Sequence, residues 1–467
     1  MEYSYAHFVN ISVERATVQG NGTKRVRAQL SDSPLARQDE LVHTLASQVQ
    51  EYLYFPSPDP LYVVLGTLAG NMISGKPLWL MLVGPPSSGR TVMLETLQEV
   101  PKVFTVGALK GVQTLLSGSP QKDWAKGAKG GLLNEIGPDG GVLCMTDFTR
   151  MLSMERAPQG EVISALRDMF DGKYERPIGG EGGRKLHWSG RLGFLGAVTN
   201  AIDRHAHLIG DLGERWVYYR YPESDGYGEV MKSLSVTDPR MMMNELRSFV
   251  RNFVDGVGLD WGKNERRREF TKKEMNRVFE IAAFGACLRT GVPRDWRTKE
   301  IIDKSQKELP TRLANGLGQL YLGLERIGIS EDERWRLVSK VAFDSAPQIR
   351  IAVVNRLVNE QRTYFGVVGA TPKELQETIQ CSTRTTEDVI DDLVIGGVCE
   401  WFQKPPTKTN MFENGKKWVV RLTIKAKEML EIGWKGREAE EDRYEEEHES
   451  GNGLDRDFDG NDEGLNP

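Results

Sequence analysis

The sequence is poor in cysteine and has no long apolar run, and each of these absences excludes a class of protein. Its four cysteines are widely spaced and form no CxxC pair, which argues against both a disulfide framework and a zinc site. No stretch approaches the ~18–20 apolar residues that cross a membrane, and the N-terminus lacks the basic-then-apolar pattern of a signal peptide. We therefore expect a cytoplasmic protein with no membrane partner.

The charge of the chain is near balance only in the sum. The 467 residues include 61 Lys and Arg against 66 Asp and Glu, for a net charge of −5. Residues 438–467 hold 13 acidic and 2 basic side chains, a net of −11, which leaves +6 on residues 1–437. A weakly basic body with an acidic tail favours a nucleic-acid partner. The tail has too few apolar residues to fold, so we expect it to be disordered.

The spacing of apolar residues predicts an α/β domain. Helical spacing over 38–75 is interrupted by a proline cluster and predicts two helices. Short continuous apolar runs, typical of buried parallel strands, follow at 78–83, 142–146 and 192–198. Helical spacing returns over 92–100, after the first run. Ligands in such folds bind at the carboxyl ends of the strands.

The first apolar run leads into a phosphate-loop pattern, Gly84-Pro85-Pro86-Ser87-Ser88-Gly89-Arg90-Thr91. In GxxxxGK[ST] the glycines let backbone N–H groups wrap phosphate oxygens, and the following helix adds its positive end. We expect these eight residues to bind ATP and the Thr91 hydroxyl to bind Mg²⁺. Arg90 stands where the motif has lysine, and its planar fork cannot simply replace a compact ammonium between the β- and γ-phosphates.

The second apolar run ends in a single acid, Asp147, followed by Phe148. A Walker-B strand ends in an aspartate at the Mg²⁺ ion, commonly followed by an acid that orients water. In one alignment Asp147 is the Mg²⁺ aspartate and Phe148 replaces the second acid. In the other, Thr146 stands at the metal position and Asp147 is the water-activating acid. Either alignment places Asp147 near Mg²⁺ as a metal-site and catalytic residue.

The order of these segments resembles an AAA+ ATPase, and within that group the minichromosome-maintenance-like branch and related ATPases of bacteriophage and mobile-element replication modules. The resemblance covers roughly residues 60–345. It rests on the phosphate loop, the Walker-B-like run, Gly130-Gly131-Leu132-Leu133-Asn134-Glu135-Ile136 and Phe148-Thr149-Arg150-Met151-Leu152. It implies an AAA+ P-loop parallel sheet with a helical lid, assembled as a homo-hexamer or other ring with ATP at subunit interfaces. For a viral protein the location would be the host cytoplasm.

The resemblance also implies roles for three further residues. Asn200, with Thr199 as the alternative, corresponds to sensor 1, which helps to hold the attacking water. Arg215 follows Gly213-Glu214 at the position of an arginine that faces the neighbouring subunit's γ-phosphate, and such an arginine is worth about 10³–10⁵ in rate. The alternative for Arg215 is an ion pair with Glu214 or another nearby acid. Arg312, at the start of a lid helix, resembles sensor 2.

A glycine-rich excursion between Asp171 and Leu192 predicts a hairpin around Gly179-Gly180-Glu181-Gly182-Gly183. In the resembled branch, a hairpin at this place projects into the ring channel and grips single-stranded DNA. The resemblance implies phosphate contacts from Arg184, Lys185 and His187, with Trp188 packing or stacking. The alternative is a solvated hairpin.

Residues 372–398 resemble the two helices of a winged helix-turn-helix, with strands expected at 398–403 and 417–424. In that motif the second helix enters the major groove of duplex DNA by its N-terminal residues, which here are Thr383, Arg384 and Thr385. Lys416 and Lys417, in the basic loop, are expected to contact phosphate. The second helix also carries four acids, which keeps open a winged helix that contacts protein; these are Glu387, Asp388, Asp391 and Asp392.

These patterns predict five segments: a poorly patterned 1–37, the ATPase core 38–224, the helical lid 225–345, the winged helix 346–435 and the acidic tail 436–467. The leading hypothesis is an ATP-dependent DNA replication motor, a phage-type helicase with ATP and Mg²⁺ as cofactors. Arg90 and the single Walker-B acid motivate the alternative, a nucleotide-binding DNA-binding or loading protein with little or no turnover. A further alternative is an AAA+ transcription regulator, whose GAFTGA-like loop is missing from 104–135. The tail would solubilise the protein, compete with DNA for the basic segment 400–437, or dock replication partners.

Overall fold

The structure is a computed structural model that describes residues 34–119, 126–178, 183–205, 215–261, 265–295, 297, 301, 308–364, 367–403 and 418–434. It has a mixed α/β fold built on a five-stranded parallel sheet, which confirms the α/β expectation at that level. The strands up to residue 220 are β1 (Trp79–Gly84), β2 (Val103–Val106), β3 (Gly141–Met145), β4 (Lys173–Ile178), β5 (Arg184–Ser189), β6 (Leu192–Thr199) and β7 (Val217–Arg220). The parallel sheet has the order β2-β3-β6-β1-β7, and β4 pairs with β5 as a separate antiparallel hairpin.

The register of the sheet brings three strand ends together. Gly84 at the end of β1 pairs with Thr199 at the end of β6. On the other side of β6, Met145 at the end of β3 pairs with Gly196. We call the end of the sheet where these parallel strands finish the carboxyl edge, and the end where they begin the amino edge. The crevice outside the carboxyl ends of parallel strands is where α/β sheets bind ligands.

Helices cover both faces of the sheet, because alternate side chains of each buried strand point to opposite faces. On β1, Leu80 and Leu82 belong to one core, and Trp79, Met81 and Val83 belong to the other. The helices up to residue 344 are α1 (Pro34–Gln50), α2 (Asp59–Met72), α3 (Arg90–Glu95), α4 (Leu132–Ile136), α5 (Phe148–Leu152), α6 (Arg156–Phe170), α7 (Tyr227–Ser235), α8 (Pro239–Gly256), α9 (Lys272–Arg289), α10 (Thr311–Arg326) and α11 (Glu331–Asp344). The first core holds α1–α3 and α8–α11, and the second holds α4–α6.

Two helix boundaries differ from the sequence prediction. The backbone of α1 begins at Pro34, inside the segment predicted to be unpatterned, and proline suits the first turn of a helix. The helix predicted over 92–100 spans only Arg90–Glu95. Pro101 disfavours helical backbone at Val100, and the intervening residues form turns with i to i−3 hydrogen bonds, such as that from Leu97 N to Leu94 O.

The C-terminal part of the described chain packs on the helices before it. Its elements are α12 (Gln348–Val358), β8 (Thr363–Tyr364), β9 (Val367–Val368), α13 (Pro372–Ile379), α14 (Thr383–Gly396), β10 (Cys399–Gln403), β11 (Val419–Leu422) and α15 (Ile424–Trp434). The strands β10 and β11 are antiparallel. One hydrophobic core joins α12–α15, β10 and β11 to Phe284 and Leu288 of α9 and to Phe343 of α11. The core therefore crosses the domain boundary predicted at residue 346.

Within the described residues, no helix is long and apolar enough to cross a membrane.

Candidate nucleotide site

The predicted phosphate loop lies at the carboxyl edge, between β1 and α3. The chain turns sharply there, since Ser87 and Gly89 have φ angles of 70° and 75°. Glycine tolerates this left-handed backbone at position 89, where it caps the N-terminus of α3. Gly84 is buried, whereas Pro85, Pro86 and Ser87 are exposed and Ser88 is half-buried. The loop is thus presented to solvent at the place where the sheet topology predicts a ligand.

Arg90 points inward, and the protein itself satisfies its guanidinium. Its Nε donates to Ser88 Oγ at 2.8 Å and its Nη2 to the Pro85 carbonyl at 2.8 Å. Its Nη1 donates to the carbonyl of Val198 on β6. The side chain is 8% exposed, and this burial lowers the pKa of Arg90, while Tyr221 and Asp147 oppose the shift. Arg90 therefore joins both arms of the loop to the neighbouring strand.

Thr91 and Asp147, the predicted Mg²⁺ residues, lie at adjoining chain segments of the carboxyl edge. The Thr91 hydroxyl donates to the carbonyl of Thr146 at 3.3 Å. Asp147 is exposed and caps the short helix α5, accepting from Arg150 N at 3.1 Å. Mg²⁺ prefers oxygen ligands and is held by one or two carboxylates together with substrate phosphates. The two side chains fit that chemistry, and among the described residues no group of three or more His, Cys, Asp or Glu could hold a metal ion.

Phe148 is a core residue, which explains why the strand ends in one acid. Its ring is 1% exposed and packs edge-on against Phe194 and Trp216 at centroid distances of 6.1 and 5.7 Å. A carboxylate at this position would be buried among aromatic rings without a partner, at a cost of several kcal/mol. Both Walker-B alignments remain open, but only Asp147 offers an exposed acid at the end of β3.

Asn200, the candidate for sensor 1, lies at the end of β6 beside the phosphate loop. It is exposed and begins a 3₁₀ turn that spans Asn200–His205. Thr199, the alternative, is held by Thr149, whose hydroxyl accepts from Thr199 N at 2.9 Å. Asp203 in the turn forms an ion pair with Arg220 at 2.7 Å. The turn is therefore anchored, and Asn200 is the more available of the two side chains.

A pocket of about 330 Å³ adjoins the phosphate loop, a size within the range of small-ligand sites. One end is formed by residues 87–91 of the loop. The other is largely apolar and aromatic, with Glu229, Lys232 and Ser233 as polar groups, and its remaining lining residues are Tyr52, Leu53, Tyr54, Val92, Val236, Pro239 and Met242. The residues at this apolar end were not predicted from the sequence. Their only signal was the position of the Tyr52-Leu53-Tyr54 segment before the proline cluster.

Arg215 lies at the amino edge, away from the phosphate loop of its own chain. It precedes β7 by two residues, and Val217 of β7 pairs with Leu80. At about 3.3 Å per residue, Arg215 lies about 20 Å from the level of Gly84. Its side chain is 7% exposed, pairs with Asp171 at 2.9 Å and stacks on Phe170. The ion pair with a nearby acid is thus observed, with Asp171 as that acid; Glu214 lies outside the described residues.

Arg312 also lies near the amino edge, because α10 begins there. One turn later, a Cβ added at Gly316 would lie 3.4 Å from Val217 and 3.7 Å from Leu78, which stand at the start of β7 and before β1. Arg312 is exposed. The structure therefore brings Asp147 and Asn200 to the phosphate loop at the carboxyl edge, and it places Arg215 and Arg312 near the amino edge.

The predicted DNA-binding hairpin is present as β4 and β5, and residues 179–182 at its tip lie outside the described residues. Lys185 and His187 are exposed, and they pair across the strands with Pro177 and Glu175. Arg184 is exposed next to the tip. Trp188 is 6% exposed and donates to the Gly137 carbonyl at 3.0 Å, so it packs in the core and offers no stacking surface.

The helix α14 docks by its acidic face on Arg294, which follows α9, and on Arg350 of α12. Asp392 accepts from Arg294 at 2.7 Å and from Arg350 at 2.8 Å. Asp388 pairs with Arg294 at 3.2 Å and with Arg384, which is 57% exposed, at 3.6 Å. Two of the four acids on α14, Asp388 and Asp392, therefore attach the helix to its neighbours.

The predicted DNA contacts at the start of α14 form its N-terminal cap. The Ser382 hydroxyl accepts from Thr385 N at 3.1 Å and contacts the Thr385 hydroxyl at 2.9 Å. The Thr383 hydroxyl accepts from Gln376 at 3.3 Å. Arg384 is the most accessible of the three predicted contacts. Lys416, Lys417 and the acidic tail lie outside the described residues.

Comparison with known proteins leaves the family open. No family model matches the chain, and no curated protein matches it. Among solved structures, the chain is similar to the apo structure of the NrS-1 C-terminal region, at 12% identity and a TM-score of 0.26, over 53% of this chain and 54% of that one. The chain thus spans about half the length of that matched chain.

Proposed function

We propose that the chain is an ATP-dependent DNA replication motor of the phage-helicase type that binds ATP and Mg²⁺ at the carboxyl edge. The observation that carries the proposal is the convergence of the phosphate loop, Thr91, Asp147 and Asn200 around the end of β1, next to a pocket of about 330 Å³. Oxygen ligands for Mg²⁺ and a polar side chain for the attacking water then lie beside the phosphates, as phosphoryl transfer requires.

The mechanism assigns one task to each of these residues. Thr91 and Asp147 would hold Mg²⁺, which supplies charge neutralisation of the phosphate oxygens when it is bound. The exposed amide of Asn200 would orient water at the same edge. The apolar end of the pocket, with Tyr52 and Tyr54, would receive the flat base of the nucleotide. Glu229 and Lys232 would form hydrogen bonds with polar atoms at the edge of the base.

Assembly of several subunits would complete the site. Arg215 and Arg312 lie near the amino edge, about 20 Å from their own phosphate loop along the strands, so they would serve the γ-phosphate only in another subunit. An exposed apolar stripe on α7 supports burial in an assembly. Its members recur at helical spacing and are 50–77% exposed: Tyr227, Val230, Met231 and Leu234.

DNA would contact the β4–β5 hairpin through Arg184, Lys185 and His187, and the C-terminal part through Arg384. The exposed cations are suited to phosphate contacts, which position the nucleic acid without reading its sequence. Because α14 is docked by Asp388 and Asp392, its N-terminal end is the part available to duplex DNA. A phosphate-contact mode predicts affinity that falls steeply with salt.

The test is DNA-stimulated phosphate release, compared between wild type, Asp147→Asn and Asp139→Asn. Asp139 is a matched control because its side chain is 77% exposed and pairs only loosely with Lys102 at 3.4 Å. The proposal expects release by wild type and Asp139→Asn, and a loss of at least tenfold in Asp147→Asn. Equal release by all three proteins would contradict the assignment.

A second experiment tests the shared site. Asp147→Asn and Arg312→Ala proteins, each weakened alone, should regain phosphate release when mixed, since some interfaces then combine an intact Asp147 with an intact neighbouring Arg312. No recovery, together with a persistent monomer in light scattering with ATP and single-stranded DNA, would overturn the ring.

A specific observation favours a second candidate, a nucleotide-binding DNA-binding or loading protein with little turnover. The cation of the phosphate loop is occupied by protein acceptors, and β3 supplies one exposed acid. If wild type binds ATP and DNA but releases no phosphate, and Arg90→Lys does release it, this second function replaces the motor.

A further inference from the structure

The cation of the phosphate loop is built into the fold at three points. Each nitrogen of the Arg90 guanidinium donates to a different acceptor: Ser88 Oγ and the Pro85 carbonyl within the loop, and the Val198 carbonyl on β6. Arginine has five N–H donors in a fixed fork, so three anchored nitrogens fix its plane. The guanidinium thus cannot turn towards a phosphate without breaking this arrangement.

The surroundings of Arg90 are shaped to hold the side chain in this place. A Cβ added at Gly84 would lie 3.4 Å from Arg90 Cδ and 3.1 Å from Tyr221 Cβ, so glycine leaves room for the arginine stem. Val198 lies one residue before Thr199, and Val83 pairs with Val198 in the sheet. The guanidinium therefore joins the loop to the strand that carries Thr199 and Asn200.

Moving this group to a ligand would be costly. The side chain is 8% exposed, and its removal would leave the Val198 and Pro85 carbonyls without a donor they now have. A buried acceptor that loses its donor destabilises the fold. A phosphate contact would have to offset the loss of the hydrogen bond to the buried Val198 carbonyl.

We infer that Arg90 is a positioning residue that braces the phosphate loop against β6, and that a single subunit consequently does not use it to distinguish ATP from ADP. The inference rests on the proposed function, because it concerns the same nucleotide site. Selection of the triphosphate then depends on groups outside the subunit's own loop, such as the arginines at the amino edge of a neighbour.

The experiment is isothermal titration of ATP and ADP, with Mg²⁺, into wild type, Arg90→Gln and Arg90→Lys, beside thermal unfolding of each protein. Glutamine can donate to one carbonyl but has no charge. A brace predicts that Arg90→Gln lowers the melting temperature and leaves the ratio of ATP to ADP affinity within about threefold of wild type. A phosphate ligand predicts a fall of that ratio by tenfold or more, since the variant loses a charge-assisted contact to the terminal phosphate.

Arg90→Lys keeps the experiment decisive if Arg90→Gln does not fold. Its single ammonium on a flexible stem cannot bridge the same three acceptors, and it is free to reach a terminal phosphate. We expect the ratio of ATP affinity to ADP affinity to rise about tenfold in Arg90→Lys. An unchanged or lower affinity ratio overturns the inference. Absence of nucleotide binding by wild type would instead overturn the proposed function, and the inference with it.

Discussion

Asp392 joins α14 to Arg294, which follows α9, and to Arg350 of α12, and its replacement by asparagine gives a large expected effect. The carboxylate is 15% exposed and accepts from two arginines at 2.7 and 2.8 Å. Removing one partner of a buried ion pair costs about 3–5 kcal/mol. Arg294 keeps Asp388, and Arg350 keeps two carbonyl acceptors, those of Leu288 and Thr290. We therefore expect the lower end, about 3 kcal/mol.

Hydrogen exchange measures this loss locally. If α14 and its neighbours open as one unit, a loss of about 3 kcal/mol raises the exchange rates of α14 amides about a hundredfold, while the central amides of α2 keep theirs. Asp255→Asn is the matched control, since Asp255 is 56% exposed in a pair with Arg251 and such pairs contribute below about 1 kcal/mol. Unchanged exchange in α14 of Asp392→Asn would refute the argument that these ion pairs dock the helix.

Three further predictions concern packing, acid stability and the pocket. Gly323→Ala should destabilise the fold by about 3 kcal/mol in chemical unfolding, because the added Cβ would overlap the backbone of Gly66. The control Gly160→Ala, in open space on α6, should stabilise the fold by about 0.5–1 kcal/mol. Equal effects of the two variants would contradict the close contact of α2 and α10. The hydrogen bond from Arg268 lowers the pKa of Glu274 to about 2 from an ordinary 4.5. The stabilisation from the ionised Glu274 is therefore present above about pH 4.5 and is lost as the pH falls towards 2. Glu274→Gln should remove that part of the loss of stability in acid, and an unchanged dependence of stability on pH would contradict the assignment. Gly228→Ala should weaken ATP binding in the same titration, since its Cβ would overlap the Tyr54 ring at the pocket; full affinity would show that the ring does not shape the site.

Local chemistry in the sequence predicted the elements at the carboxyl edge. The apolar runs before Gly84, Asp147 and Thr199 are buried strands in the structure, because a fully buried parallel strand needs apolar side chains on both faces. The first of the two helices predicted over 372–398 is α13, which begins at Pro372 and is capped by Thr371 together with Glu374. These signals lie within a few residues of the feature that they specify.

Features that depend on residues far apart in the chain could not be predicted from the sequence. The strand β7, Val217-Tyr218-Tyr219-Arg220, has only four residues, too short a run to predict from its own pattern. Its place in the sheet becomes evident from its pairing with β1. The apolar end of the pocket brings Tyr52 and Met242 together from segments far apart in the chain. The inward turn of Arg90 depends on the carbonyl of Val198, 108 residues later. The roles given to Asp147, Asn200, Arg215 and Arg312 stay predictions.

Photolabelling with 8-azido-ATP is a direct test of the nucleotide site, because it identifies the residues that contact the base. A nucleotide site at the carboxyl edge predicts ATP-protected labelling of peptides that contain Tyr52–Tyr54 or residues from 229–242, segments that line the apolar end of the pocket. It also predicts that labelling falls in Gly228→Ala. Labelling confined to other peptides, or labelling that excess ATP does not suppress, would contradict a nucleotide site at the carboxyl edge.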